Sequence, residues 1–384
     1  MGRNAFGTLR GGAPARRAWA AIAVAGAAAL LSAGATAARA EPAAASSDAL
    51  PASDPRSIEA RTVALIPPYQ PEQTVSGVIR IQGHGHVTLK WMAPLLSNWE
   101  KAFRRFHPDA SIQQDMKGTS SAIPSLFTGA GDIAILGEEL LADAADAFQR
   151  AKGYPPLGID IATGSVDVRN FDYAQQFFVH KDNPISQLTL AQLDGIYGME
   201  HRRGLQNIRS WDQLGLGGEW AGTPINPYGW RIDDSFGMFL QQFLLNGSHR
   251  WNNKLKDYVH IYNAGGTIYD HGQQILDALG ADRHGIAVSN IRYANPNVKP
   301  VALAAGPEGP YYHATKQTLI ERSYPLTRLI PAYIDRAPGQ PITPRIKEFL
   351  RFLVSREGQE IINQDGRYLP ITREAAGAEL RKLE

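Results

Sequence analysis

The stretch that decides the fold is residues 78–136, VIRIQGHGHVTLKWMAPLLSNWEKAFRRFHPDASIQQDMKGTSSAIPSLFTGAGDIAIL. Its apolar pattern predicts strands at 78–81, 110–112 and 132–136, with an amphipathic helix between each pair. Strands that alternate with helices in this way indicate a parallel α/β sheet. The loops that follow such strands meet at one edge of the sheet, and open α/β sheets bind their ligands there.

A second polar stretch is Trp230-Arg231-Ile232-Asp233-Asp234-Ser235-Phe236-Gly237, which comes directly before an apolar helical run. A helix start offers unpaired N–H groups and a partial positive charge, and Arg231 adds a planar fork of donors. Together they predict a seat for a tetrahedral oxyanion. The alternative is that Asp233, Asp234 or Ser235 caps the helix, with Arg231 paired to Asp233 on the surface.

The first forty residues differ from the rest of the 384-residue chain. Four arginines precede a run at 18–38 that consists almost entirely of Ala, Val, Ile, Leu and Gly. The run ends on Ala38-Arg39-Ala40, a small-x-small cleavage pattern, so we expect a secretory signal peptide at 1–40. The following residues 41–75 are rich in Ala, Pro and Ser and predict a flexible leader. No later apolar run is long enough to span a membrane.

Charge and cysteine content limit the function classes. Five of the 39 basic residues and none of the 37 acidic ones lie in 1–40, so the mature chain carries 34 basic and 37 acidic residues. A slightly acidic chain has no general attraction to polyanions, which argues against a nucleic-acid partner and makes any anion site local. The chain has no cysteine, so we expect no disulfide, no thiolate metal site and no lipid anchor. A signal peptide without a lipid anchor predicts a periplasmic location.

Two stretches, at 95–113 and 349–371, and the order of the polar loops make the chain resemble the phosphate-binding proteins of bacterial ABC importers and the wider family of periplasmic solute-binding proteins. The resemblance covers roughly residues 76–375. It is carried by LLSNWEKAFRRFHPDASIQ at 95–113, by FLRFLVSREGQEIINQDGRYLPI at 349–371, and by the order of the polar loops.

The resemblance implies two α/β lobes joined by crossover strands, with the ligand in the cleft between them. Lobe I would comprise 76–170 plus 325–384, and lobe II 171–324. It further implies a periplasmic receptor, not an enzyme, for a small inorganic or phosphorylated anion, with phosphate as the first candidate. Such a receptor delivers its ligand to an ABC importer or acts as a sensor. We expect a monomer without a cofactor.

The resemblance also assigns ligand contacts on two loops. The family loop Arg-x-Asp-Gly-Ser-Gly-Thr corresponds to 231–237, where Arg231, Asp233 and Ser235 are kept but the two glycines and the threonine are not. The family loop Gly-Ser-Ser-Gly corresponds to 118–121, which supplies the hydroxyls of Thr119 and Ser120.

The remaining loops depart further from the family pattern. The first loop, Gly-Ala-Gly-Ala-Thr in the family, corresponds to 83–87, where Val87 replaces the hydroxyl and His84 and His86 become candidate contacts. An anion would favour their protonated form and bind more tightly towards pH 6. In the family, an aspartate accepts the proton of hydrogen phosphate. Its position corresponds to Gly137 in this chain, and Glu138 is one residue beyond. The candidate ligand residues are therefore His84, His86, Thr119, Ser120, Glu138, Arg231, Asp233 and Ser235.

Two other functions fit parts of the sequence. A zinc receptor would use His84 and His86, which share one face of an extended segment, with Glu138, Glu139 or His271 as further ligands. A serine hydrolase would use Ser235 as nucleophile. However, the first glycine of a nucleophile elbow is missing, and the sequence ties no histidine to this serine.

Overall fold

The computed structural model describes residues 54, 57–85, 92–166 and 174–384. The predicted signal peptide at 1–40, the candidate His86 and the predicted start of the first long helix at Val87 lie outside the described residues. Within the described residues, no helix combines the length and apolar character needed to cross a bilayer.

The helices and strands alternate as the apolar pattern predicts. The helices are α1 (Ile58–Ala64), α2 (Met92–Phe103), α3 (Thr119–Phe127), α4 (Ala142–Lys152), α5 (Leu190–Tyr197), α6 (Ser235–Phe243), α7 (His271–Gly280), α8 (Lys316–Ile320), α9 (Pro344–Leu353), α10 (Arg356–Asp365) and α11 (Arg373–Lys382). The strands are β1 (Gly77–Gly83), β2 (Ala110–Asp115), β3 (Ile133–Ile135), β4 (Leu157–Thr163), β5 (Gln176–His180), β6 (Gln187–Thr189), β7 (Asn226–Trp230), β8 (Lys256–Tyr258), β9 (Ile261–Tyr262), β10 (Ile268–Tyr269), β11 (Gly285–Ser289), β12 (Val298–Pro300), β13 (Ala302–Ala304) and β14 (Leu329–Ile334).

Two five-stranded sheets organise the molecule. The first has the order β2-β1-β3-β14-β4, and the second has the order β12-β5-β11-β7-β8. β1 pairs in parallel with β2 and β3, as predicted. β14, however, runs antiparallel to β3 and β4, so an all-parallel sheet is wrong. A helix that connects two neighbouring strands makes them parallel. β14 is not joined to β3 in this way, because the chain reaches it on returning from the second sheet.

The mostly apolar run at 324–330 predicts a strand, but β14 begins only at Leu329. Residues before it turn instead, with the N–H of Thr327 donating to the carbonyl of Tyr324 at 3.0 Å.

Each sheet has its own hydrophobic core. The first core surrounds β1 and α2, and the apolar face predicted for α2 is buried in it at Met92, Leu95, Leu96, Trp99 and Phe103. The second core surrounds β5, β7 and β11. The chain passes from the first sheet to the second after β4 and returns before β14. The residue boundaries between the lobes stay a prediction.

Part of the predicted flexible leader is folded. Within 41–75, residues 58–64 form α1, and Ile66, Tyr69 and Val75 are buried against the first core. The hydroxyl of Tyr69 donates to Glu348 at 2.6 Å. The sequence of 41–75 shows no sustained apolar periodicity, because isolated side chains, and not one continuous apolar face, fix this segment to the rest of the protein.

Candidate functional site

Three polar segments converge in the described structure. They are the start of α3, the loop that follows β3, and the start of α6. The hydroxyl oxygen of Thr119 accepts a hydrogen bond from the N–H of Gly137 at 3.2 Å, and the Ser235 side chain lies close enough to the carboxyl of Glu138 to lower its pKa. These contacts link Thr119, Glu138 and Ser235, which the resemblance assigned to separate loops, into one cluster.

The start of α3 keeps N–H groups available for a ligand. Its N-cap residue is Gly118, which has no side chain to accept their hydrogen bonds. Thr119 is half-buried and Ser120 is exposed in the first turn of this helix. A helix start with uncapped N–H groups and two hydroxyls is suited to an oxyanion.

The start of α6 is arranged differently. Asp234 caps this helix by accepting a hydrogen bond from the N–H of Phe236 at 3.0 Å, so the capping alternative is confirmed for Asp234. Arg231 donates through Nη2 to Asp233 at 3.0 Å, and both side chains are exposed. The carboxylate therefore orients the guanidinium at the surface beside Ser235. Its contact with a ligand stays a prediction.

His84 is buried rather than exposed in a polar loop. Its backbone N–H donates to the backbone carbonyl of Ile135 at 2.8 Å, and only 6% of the residue is accessible to solvent. A Cβ at Gly137 would lie 1.9 Å from Nδ1 of His84, so the imidazole occupies the space that a side chain at position 137 would need. The absence of an aspartate at Gly137 is thus matched to the presence of this ring.

The ligand-free surroundings of His84 oppose its protonation. Burial, and then the positive charge of Arg328, lower the pKa of this imidazole to about 4. His84 is therefore neutral at pH 6 in the free protein, and its protonation beside a bound anion stays a prediction.

Arg328 is the residue of this region that the sequence analysis missed. Its guanidinium is 2% exposed, contacts Glu139 at 3.1 Å and Glu138 at 3.9 Å, and lies 4.6 Å from the ring centre of Phe239. A single arginine inside the apolar run at 324–330 was the available signal, because a charge in such a run needs a buried partner. Arg328 holds the Glu138–Glu139 loop against the start of α6.

Glu138 lies in negatively charged surroundings. Burial raises the pKa of its carboxyl; the Arg328 charge opposes this shift, while Glu139 and Asp234 add to it. Only 19% of the side chain is exposed. A carboxylate in this position accepts hydrogen bonds and repels a fully ionised anion.

The two alternative functions find no support in this geometry. Among the described residues, the side chains close enough to share a metal ion are His260, Asp270 and His271, and neither His84 nor Glu138 is among them. The hydroxyl of Ser235 donates to Asp234 at 3.5 Å and lies beside Glu138, so the partners given for it among the described residues are carboxylates rather than an imidazole base.

Comparison with known proteins places the chain in a family. The sequence profile of the PBP superfamily domain matches residues 70–357, three quarters of the chain. The chain belongs to the PBP superfamily. This confirms the family resemblance stated from the loops and closing helices.

Individual members of the PBP superfamily support the assignment. The phosphate-binding protein PstS of Pseudomonas aeruginosa is 29% identical over 328 residues, which cover 84% of this chain and 94% of that protein. Among solved structures, PstS from Borrelia burgdorferi matches with a TM-score of 0.52 and 16% identity, covering 77% of this chain and all of that one. The two-lobed α/β fold class is thereby confirmed.

Proposed function

We propose that this member of the PBP superfamily is a periplasmic receptor for phosphate that passes its ligand to an ABC importer. The observation that carries the proposal is the convergence of the α3 start, the Glu138 loop and the α6 start in one cluster. These segments come from both sheets, so an anion bound among them would hold the two sheets together. The name of the P. aeruginosa relative supports phosphate as the ligand.

The ligand would take the place of an existing hydrogen bond. In the free protein the hydroxyl of Ser235 donates to Asp234 at 3.5 Å and lies beside Glu138. An anion between Ser235 and Glu138 would accept from Ser235, from Thr119 and from the N–H groups of the α3 start. Arg231, already oriented by Asp233, would supply the positive charge at the exposed side.

Glu138 would select the protonation state of the ligand. Hydrogen phosphate has a proton to donate to this carboxylate, whereas sulfate has none and would place two acceptors against each other. The role that the family aspartate would fill at Gly137 would thus pass to the next residue. Because solute capture needs no bond breaking and Ser235 has no imidazole partner among the described residues, we infer a binding function and not catalysis.

The proposal predicts a measurable preference for phosphate over sulfate. By isothermal titration calorimetry at pH 8, phosphate should bind at least about 100-fold more tightly than sulfate, since a charged hydrogen bond is replaced by repulsion. Glu138→Gln should reduce that ratio by roughly tenfold or more, because an amide can donate to either anion.

The matched control is Glu308→Gln, which removes an exposed carboxylate and should leave both affinities unchanged. A wild-type protein that binds neither anion, or binds them equally, contradicts the proposal.

A further inference from the structure

His260, Asp270 and His271 form a compact group outside the proposed anion contacts. Each offers one ligand atom, and these atoms all lie within 4.8 Å of one another. His260 lies between β8 and β9, Asp270 is the N-cap of α7, and His271 is the first residue of that helix. The group therefore joins the β9–β10 hairpin to the start of α7.

Two of the three side chains are held in place by packing. The imidazole of His271 is 3% exposed and packs on Trp230, with 4.6 Å between ring centres. Asp270 is fixed as a cap, because its Oδ1 accepts from the N–H of Gly272 at 2.9 Å. The backbone at Gly272 packs closely on Tyr293, since a Cβ there would lie 2.3 Å from that ring. This half of the group is held by packing.

The third side chain can adjust. His260 is half-buried, and its ring centre lies 3.9 Å from that of His271. Its Nδ1 lies 3.7 Å from Oδ2 of Asp270 and accepts a long hydrogen bond of 3.3 Å from the N–H of His271. Ligand atoms around one tetrahedral ion at about 2.0–2.1 Å lie roughly 3.4 Å apart, so the group must contract, and His260 must either bind through Nε2 or release the N–H of His271 from Nδ1.

We propose that His260, Asp270 and His271 bind one divalent transition-metal ion of the zinc type. Two imidazole nitrogens and one carboxylate oxygen are ligands that such ions prefer, whereas Mg²⁺ and Ca²⁺ require mainly oxygen. The fourth position would be taken by water. The site does not include His84 and stands independently of the proposed phosphate function.

The ion would fix an exposed part of the surface. Within the hairpin, Ile261, Tyr262 and Ile268 are exposed, and among the described strands β9 and β10 pair only with each other. A bond from the ion to His260 would fasten this hairpin to α7. The ring centre of His271 also lies 5.8 Å from that of Phe236, so the bound ion would also restrain the start of α6.

The test uses untagged protein freed of metal with EDTA, in phosphate-free buffer at pH 7.5. Zn²⁺ should bind saturably with one equivalent in a calorimetric titration, and Mg²⁺ should not. His260→Ala and Asp270→Asn should each weaken Zn²⁺ binding at least tenfold. Asn preserves the helix cap, so the second variant keeps the fold. His313→Ala, an exposed histidine elsewhere, is the matched control and should bind as the wild type does.

A second readout reports the coordination itself. Co²⁺ in place of Zn²⁺ should give visible absorption bands that the His260→Ala protein, checked as folded by circular dichroism, lacks. Absence of saturable Zn²⁺ binding by the wild type overturns the proposal. Wild-type Zn²⁺ affinity in both His260→Ala and Asp270→Asn overturns it as well.

Discussion

At the residue scale, His84 couples the ligand region to the stability of the fold. Its imidazole fills the space beside Gly137 and lies near the buried guanidinium of Arg328. Burial opposes protonation of the imidazole because it removes water, and Arg328 opposes it because its guanidinium carries the same charge as a protonated imidazole. The unfolded chain has no such restriction, so the unfolded state takes up a proton at higher pH than the folded state.

This difference predicts an acid-dependent loss of stability. The folded pKa of about 4 lies below the ordinary 6.5, so the free energy of unfolding should be flat above pH 7 and fall between pH 6.5 and 4. The contribution of His84 is about 3 kcal/mol. In urea unfolding curves from pH 7.5 to 4.5, His84→Gln should lose stability less steeply than the wild type.

The control for this experiment is His313→Gln, an exposed histidine whose replacement should leave the slope unchanged. A His84→Gln protein with the full wild-type slope would assign the acid sensitivity to other groups.

At the scale of elements, α1 connects the two cores. Ile58 at its start packs against the second core, while Ile66 just beyond its end is buried in the first. The carboxylate of Glu59 is 3% exposed and forms an ion pair with Lys316 on α8. Its other oxygen, Oε2, is buried without a hydrogen-bond partner among the described atoms. Lys316 therefore balances a charge that has little other support.

Removing this ammonium group should be costly although the lysine itself is one-third exposed. Lys316→Met should lower the free energy of unfolding by about 1–3 kcal/mol, less than for a fully buried pair because water screens the lysine. Lys254→Met, at an exposed position, should change it by less than about 0.5 kcal/mol. Chemical denaturation of both variants measures the difference, and equal small effects would show that α1 needs no ion pair.

At the scale of the whole molecule, the contacts between the β3 loop and α6 define where the two sheets meet. Ser235 lies beside Glu138, and the side-chain amide of Gln242 donates to the carbonyl of Leu140 at 3.4 Å. These two polar contacts connect the sheets here. An anion that adds several more would shift the population towards the closed arrangement, as differential binding requires.

Closure can be measured by energy transfer between two dyes. The chain has no cysteine, so cysteines placed at the exposed Gln149 and Lys254 would be labelled without background. Phosphate should raise the transfer efficiency of this pair, which spans the two sheets. A pair at Gln149 and Asp109, both on elements of the first sheet, should not respond. An unchanged signal in the spanning pair at saturating phosphate would exclude closure.

Periodicity and loop chemistry in the sequence determined much of this protein. They predicted the α2 face, β1 to β3, and the helix starts at Thr119 and Ser235, because these features depend on residues close together in the chain. The family was identified by the resemblance of whole motifs. The direction of β14 and the ordering of residues 57–75 were decided by the tertiary structure, since their partners lie hundreds of residues away.

The same division holds for the candidate site. The family resemblance assigned Thr119, Glu138 and Ser235 as candidate ligand residues in loops or at helix starts. Only the fold placed Arg328 beside Glu138 and buried His84 against Gly137. The reason is physical: a side chain's charge state and contacts depend on the dielectric and neighbours that packing creates, and neither is encoded locally.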